Sequence, residues 1–172
     1  MKIISITGGV GSGKSEVLRV LQEEFDAEII KADEVAHQLM EPGKKGYQHV
    51  VEALGDSFLN KDGSIDRKKL AALIFQNKEA VEPMNAIIPP MAWEEIRYAI
   101  NHSDKEIIVV EAALYDDEHN AMFDEIWYVY TSVENRIKRL MASRGYSEEK
   151  CRGIMANQAS EDDYRSFATR VL

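Results

Sequence analysis

Cysteine is scarce in this chain, and long apolar runs are absent. The single cysteine, Cys151, excludes a disulfide framework within the chain and indicates a reducing compartment. A membrane-spanning helix needs an apolar run of about 18 residues, and no run in this sequence approaches that length. The first residues also lack the basic stretch and apolar run of a signal peptide. We therefore expect a cytoplasmic protein without a membrane partner.

Positive charge is also in deficit, with 21 Lys and Arg against 30 Asp and Glu and a formal net charge of −9. Nucleic acids and anionic membranes select basic surfaces, so we expect no nucleic-acid partner. The length of 172 residues suits one domain with a sizeable core. We expect a small-molecule substrate, and a monomer or a weak homo-oligomer.

A glycine-rich stretch, Gly8–Ser15, lies between an apolar strand pattern and a helix pattern. Strand, G-x-x-x-x-G-K-S and helix together predict a phosphate-binding loop. Its glycines let successive backbone N–H groups face one concavity, and the helix adds the positive end of its dipole. The alternative is a turn that only joins strand to helix. We expect the nucleotide at Gly9, Val10, Gly11, Ser12, Gly13, Lys14, Ser15 and Glu16.

Three side chains suit the phosphate chemistry of ATP and Mg²⁺. Lys14 offers a point charge for the β- and γ-phosphates, and Ser15 offers a hard oxygen ligand for Mg²⁺. Glu111 ends a buried strand pattern and is a second candidate for the metal or its waters. For Glu111 an exposed strand-end carboxylate is the alternative, and the acidic run Asp116–Glu118 is interpreted as a solvated loop.

The order of patterns predicts an α/β fold with a parallel sheet between helical layers. Strand patterns cover Lys2–Thr7, Ala27–Ala32, Lys105–Ala112 and Ile126–Tyr130, and we expect no clear strand after them. Residues 44–101 are helical and strand-poor, with a helix break expected at Pro89-Pro90. We therefore predict one domain with a core of about 1–43 and 102–172 and a helical, acceptor-binding insertion of about 44–101.

Asp33 follows the second strand pattern. Ligands of open α/β sheets lie outside the carboxyl ends of the strands, so this carboxylate is a candidate to accept a proton from a substrate hydroxyl. The alternative is an N-cap for the helix over Glu34–Met40. The two roles do not exclude each other.

Basic side chains cluster between residues 136 and 152 of this acidic chain. Arginine presents a planar fork that matches phosphate oxygens, and small kinases carry such arginines on a lid. We predict a lid over about 136–155, with Arg139 and Arg144 as the catalytic arginines. The alternative is a salt-bridged helix surface whose acidic partners are Glu134, Glu148 and Glu149.

Taken together, these segments resemble the dephospho-coenzyme A kinase family over nearly the whole chain. The similarity covers Thr7–Ser15, Ala32-Asp33, Glu41–Gly43, Asp62–Leu70, Phe75, Met84–Ile88 and Ser132–Arg144 followed by Gln158. The phosphate loop is shared by many families, whereas D-G-S-I-D-R-K-K-L is more particular. Departures from the family pattern are Lys31, Pro89, the stretch Ala112–Asp116 and an end at Leu172, where the family usually continues.

The resemblance implies a P-loop NTPase fold of the nucleoside-monophosphate-kinase type. It implies ATP-dependent phosphorylation of the ribose 3′-hydroxyl of dephospho-coenzyme A. By the same resemblance, Asp33 is the general base, Lys14 and Ser15 bind phosphate and Mg²⁺, and Arg139 or Arg144 is the lid contact. Two other hypotheses stay open at this point. One is another small-molecule or nucleoside-monophosphate kinase, and the other is a catalytically impaired nucleotide-binding protein.

Overall fold

A five-stranded sheet carries the first strand at its centre. The structure, a computed structural model, describes residues 1–76, 81–113 and 117–172. The strand order is β2-β3-β1-β4-β5, and the pairs β1–β3, β1–β4 and β4–β5 are parallel, which confirms the predicted sheet. The strands are β1 (Lys2–Thr7), β2 (Glu28–Lys31), β3 (Ile107–Glu111), β4 (Glu125–Tyr128) and β5 (Arg170–Val171).

Helices occupy the chain between these strands. None of those in the described ranges has the length and apolar character needed to cross a membrane. They are α1 (Lys14–Phe25), α2 (Ala32–Leu39), α3 (Lys45–Leu54), α4 (Arg67–Gln76), α5 (Val81–His102), α6 (Asp117–Asn120), α7 (Val133–Arg144), α8 (Glu148–Ala156) and α9 (Glu161–Phe167).

The chain divides into two compact units. The first consists of Met1–Ile30 and Ser103–Leu172 and contains the strand residues up to Ile30 and beyond Ser103. The second is Lys31–His102 and contains the segment predicted as an insertion. The assignment of core, insertion and lid functions to these segments stays a prediction.

The core of the first unit is formed by β1 and α1. Leu18 and Leu21 recur on one face of α1 and are buried against the strand residues Ile4, Ile6 and Val109. The sequence pattern predicts Val17, Leu18, Leu21 and Phe25 on the buried face of α1. The prediction for Phe25 was wrong, because this last residue of the helix is exposed. Because β1 is buried and the loop joins it directly to α1, the ends of the loop have fixed positions.

The end of the chain differs from the prediction. The sequence predicts that Ser132 caps one helix and that Ser147 opens the next. The structure confirms both starts, since each hydroxyl accepts a backbone N–H three residues on, at the start of α7 and of α8. The prediction of no strand after Ile126–Tyr130 was wrong, because β5 pairs with β4. The short helix α9 was also missed, although Ser160 and Asp163 form a capping box at its start.

The second unit contradicts the helix break predicted at two prolines. Pro89 and Pro90 lie inside α5, which continues through them. Both are exposed, and so are Asn85 and Ala86, whose carbonyl groups lose their helical N–H partners and face the solvent side. The opposite face holds the helix together through burial of Ile88, Ala92, Ile96 and Ile100.

Gly46 offers a test of packing in the second unit. A Cβ atom there would lie 2.6 Å from the backbone oxygen of Leu39, so α2 and α3 would have to move apart. We expect Gly46→Ala to lower the free energy of unfolding by about 1–3 kcal/mol, as overpacking of a core does. Chemical denaturation followed by circular dichroism measures it.

Gly153→Ala is the matched control. Gly153 also lies in a helix, and its Cβ would meet nothing within 4 Å. We expect this variant to be as stable as the parent or more stable by up to about 1 kcal/mol, because alanine is the better helix former. Equal stability of the two variants would show that α2 and α3 do not approach as closely at Gly46 as the structure has them.

Candidate functional site

The loop after β1 lines a cavity of about 290 Å³ in the first unit. Most of the predicted phosphate-binding residues meet there, together with Glu111, Arg139 and Arg144. Three predicted residues are not in its lining, namely Gly9, Glu16 and Asp33. The lining consists of Val10, Gly11, Ser12, Gly13, Lys14, Ser15, Glu111, Arg139, Leu140, Ser143 and Arg144.

The first residues of α1, Lys14 and Ser15, line this cavity. Gly13 is the N-cap of α1, in the left-handed conformation (φ 109°), and no side chain caps the helix there. Glycine is required because a side chain would be strained at this φ and its Cβ would lie 3.2 Å from Arg139 Nη1. The first N–H groups of a helix have no intrahelical acceptor, and with the helix dipole they form an anion site.

Lys14 closes over the backbone of the loop. Its Nζ donates to the carbonyl oxygens of Gly8 at 2.7 Å and Gly9 at 3.3 Å. The same nitrogen lies 3.9 Å from Glu111 Oε1. Glu111 is half-buried at the end of β3 rather than fully exposed, so the alternative of a solvated strand-end carboxylate is wrong. Lys14 therefore stands between the loop and a carboxylate of the same cavity.

Two buried hydroxyl groups at the loop make no hydrogen bond within the described residues. Among the residues that the structure describes, Thr7 Oγ1 and Ser12 Oγ are buried without a hydrogen-bond partner. A buried polar group without a partner costs about 1–3 kcal/mol. Ser12 lines the cavity, so a phosphate oxygen or its water there would satisfy this hydroxyl.

The arginines of α7 and α8 have different surroundings: Arg139 and Arg144 line the cavity, whereas Arg152 lies on an exposed helix surface. Arg139 donates from Nη1 to the carbonyl oxygens of Ser12 at 2.8 Å and Gly11 at 3.4 Å. Arg144 ends α7 and lines the cavity. Arg152 pairs with Glu148 one helical turn away, so the alternative of a salt-bridged surface holds for that residue.

Two residues beside the loop were not among the predicted site residues. Arg136 Nε donates to Val10 O at 2.8 Å, and Gln158 Oε1 accepts the Val10 N–H at 3.1 Å. Arg136 lay within the basic cluster, but its position alone does not separate it from its neighbours. Gln158 had no local signal beyond the family pattern, because its contact with the loop spans 148 residues of sequence.

Glu16 does not line the loop cavity. It is exposed on the first turn of α1, and its carboxylate accepts hydrogen bonds from Arg19 at 2.6 and 3.2 Å. These bonds hold the pKa of the Glu16 carboxyl below its ordinary value. Its N–H donates to Gly13 O at 3.0 Å. The predicted nucleotide contact of Glu16 stays a prediction.

Asp33 belongs to the second unit. It lies in the first turn of α2 and is exposed. The N-cap of that helix is Lys31, and no side chain caps it, so the alternative of Asp33 as the N-cap is wrong. The helix begins before Asp33 because Ala32 already has helical conformation directly after β2. The carboxylate is therefore not used in capping.

Oxygen ligands for a magnesium ion are present in the cavity. The Ser15 hydroxyl and the Glu111 carboxylate both line it, and such hard ligands suit Mg²⁺. No group of three His, Cys, Asp or Glu that could hold a metal occurs in residues 1–76, 81–113 and 117–172. Mg²⁺ usually takes one or two protein ligands together with phosphates and waters, so the donor set fits. Asp116 and the side chain of Asp117 lie outside the described residues.

A family model supports an enzymatic interpretation. The model described as CoaE, dephospho-CoA kinase, matches residues 2–172. A dephospho-CoA kinase of Carboxydothermus hydrogenoformans is 40% identical over 176 residues, which cover 100% of this chain and 85% of the relative.

Solved structures share the fold. The structure of TT1252 from Thermus thermophilus superposes with a TM-score of 0.84 at 25% identity, covering 99% of this chain and 87% of the other. A dephospho-CoA kinase of Campylobacter jejuni superposes with a TM-score of 0.70 at 19% identity, covering 100% and 88%. These likenesses agree with the predicted P-loop kinase fold.

The cavity predicts a triphosphate site whose affinity depends on Arg144. Inorganic tripolyphosphate tests it without a nucleoside. We expect Arg144→Met to raise the dissociation constant of tripolyphosphate at least about fivefold, since a charge-assisted contact is lost. Arg152→Met is the control, because Arg152 is paired with Glu148 on an exposed face. Titration calorimetry at low salt measures both, and equal affinities would place Arg144 outside the phosphate site.

Proposed function

Since the chain belongs to the dephospho-CoA kinase family, we infer that it transfers the γ-phosphoryl group of ATP to dephospho-CoA and forms coenzyme A and ADP. The family match over residues 2–172 carries this conclusion. The acceptor oxygen is the ribose 3′-hydroxyl. The alternatives, another small-molecule kinase or a binding protein without catalysis, are not favoured by these relatives.

The donor phosphates suit the loop and the start of α1. Backbone N–H groups of the loop and the helix N-terminus complement phosphate oxygens. Lys14 then exchanges its bonds to the Gly8 and Gly9 carbonyls for the β- and γ-phosphates. Such exchange keeps the ammonium hydrogen-bonded before and after nucleotide binds. This explains why its side chain rests on the loop.

We propose Ser15 and Glu111 as the residues that hold Mg²⁺ or its waters. When bound, the metal neutralises the developing charge on the phosphates. Both side chains line the loop cavity, and Glu111 lies 3.9 Å from the Lys14 ammonium. There the Glu111 carboxylate would offset the repulsion between the Lys14 ammonium and the metal. Glu111 therefore serves Lys14 and the metal site together.

Asp33 is the proposed general base. It accepts the proton of the 3′-hydroxyl as that oxygen forms its bond to the γ-phosphorus, while the bond from phosphorus to the bridging oxygen of ADP breaks. In support, Asp33 stands two residues after β2, and helix capping does not use its carboxylate. Its neighbour Glu34 accepts from Lys31 instead, at 2.8 Å.

Arg139 and Arg144 are proposed to meet the charge of the transferring phosphoryl group. Arginine stabilises such charge through its fork of donors. Both line the cavity with the loop, and Arg139 approaches the loop through the carbonyl of Ser12. We also propose that the protein acts in the cytoplasm as a monomer or a weak homo-oligomer.

Lys14→Met tests the donor half of the reaction. We expect kcat to fall by about 10²–10³, as when one preorganised donor to a transition-state anion is removed. ADP formation with ATP, Mg²⁺ and dephospho-CoA measures it. Lys138→Met is the control, because Lys138 is exposed on α7 and does not line the cavity. Equal rates for the two variants would exclude Lys14 from catalysis.

Asp33→Asn tests the acceptor half. We expect kcat to fall by about 10² or more, since general-base catalysis contributes that much, while KM for ATP changes little. Glu34→Gln, in the same helical turn, should retain the parent rate. Unchanged turnover in Asp33→Asn would remove this residue from the role of base. Turnover of the parent with a nucleoside monophosphate but not with dephospho-CoA would overturn the proposed acceptor.

A further inference from the structure

Val10, at the middle of the phosphate loop, has both polar backbone atoms bound by side chains. Its N–H donates to Gln158 Oε1 at 3.1 Å, and its carbonyl oxygen accepts from Arg136 Nε at 2.8 Å. Arg136 Nη2 donates to the same Gln158 oxygen at 2.6 Å. The three bonds form a closed ring that joins the loop, the start of α7 and the residues after α8.

The chemistry of this ring requires its residue types. Gln158 faces two donors, so its amide oxygen and not its nitrogen must lie there. Arg136 uses two nitrogens of one fork, Nε and Nη2, in different directions. A lysine has one nitrogen and cannot span both acceptors in this geometry.

Apolar packing and close approach support the same contact. Val10 packs against the cluster of Ile137, Leu140 and Cys151, which joins α7 to α8. A Cβ atom on Gly9 would lie 2.2 Å from Arg136 Nη2, so glycine is needed there to admit the guanidinium. The loop is therefore built around Arg136 on this side.

We propose that Arg136 and Gln158 are positioning residues that set the shape of the phosphate loop for the nucleotide triphosphate. Their bonds fix the orientation of both peptide groups at Val10. A loop whose shape is already fixed then needs no reorganisation when phosphate binds. In this assignment the Val10 N–H holds the loop and is not a phosphate ligand.

We expect the ring to affect the binding of ATP and not the binding of the acceptor. Loss of the ring leaves the loop to sample other shapes, so only a fraction of molecules is competent to bind phosphate, and the apparent dissociation constant rises by that fraction. The role in turnover rests on the proposed kinase function. The role in ATP binding does not, because it concerns the loop alone.

Gln158→Met tests the ring with a side chain of similar size that accepts poorly. We expect the dissociation constant and KM for ATP to rise about tenfold and KM for dephospho-CoA to stay within about twofold. Gln158→Glu should recover most of that loss, because a carboxylate oxygen accepts from the same two donors. Gln22→Met, on the exposed face of α1, is the control.

Gly9→Ala and Arg136→Lys are two independent ways to disturb the contact between the Arg136 guanidinium and the loop. The first displaces the guanidinium without changing either partner, and the second removes the fork. We expect both to weaken ATP binding about as much as Gln158→Met does, and Gly9→Ala combined with Gln158→Met to add little further loss. Calorimetry with ATP and steady-state kinetics measure these effects.

The proposal is overturned if Gln158→Glu is as impaired as Gln158→Met, or if both KM values rise together. Strict additivity of Gly9→Ala and Gln158→Met would also contradict a shared ring. If the parent protein binds ATP but forms no coenzyme A, the kinase function fails, while the ATP dissociation constants of the variants still decide the role of the ring.

Discussion

The position of β1 between two strands is the constraint on which the phosphate site depends. β1 pairs with β3 and β4 along its length, and the Thr7 carbonyl still accepts from Val129 at 2.9 Å where the loop begins. The register sets Ile6 opposite Glu111. The pairing of β1 with β3 therefore places the Glu111 carboxylate next to the loop. A slip of one residue would turn Glu111 to the other face of the sheet.

The approach of α7 explains the glycines of the loop as fully as phosphate binding does. A Cβ atom on Gly11 would lie 3.1 Å from both the Arg136 carbonyl and Leu140 Cγ, and Gly11 has a φ of 77°. At Gly9 the obstacle is the Arg136 guanidinium, and at Gly13 it is Arg139. The loop thus has α7 on one side and the proposed phosphate site on the other, and both require close approach to its backbone. Close approach on both sides leaves little space for a side chain at Gly9, Gly11 or Gly13.

The features that the sequence predicted are those coded within a few neighbouring residues. Ser132 and Ser147 mark helix starts through local caps, and the loop carries its own spacing. The strand β5 has two residues and is defined by pairing with β4, which no local pattern reveals. Gln158 is missed for the same reason, since its partner Val10 lies at the other end of the chain. At Pro89 and Pro90, burial of the opposite face outweighs a local signal that normally ends a helix.

The contacts of α7 bear on the lid that was predicted over residues 136–155. Arg136 and Arg139 are three residues apart on one face of the helix, and both donate to loop carbonyls. Movement of the whole segment as one body would break these bonds and expose the cluster around Leu140. Further along the predicted lid, Ser143 and Arg144 line the cavity, and α7 ends at Arg144 with Gly145 as a C-cap in the left-handed conformation. The bonds of Arg136 and Arg139 to the loop therefore argue against a lid in which all of residues 136–155 move together, and the lid itself stays a prediction.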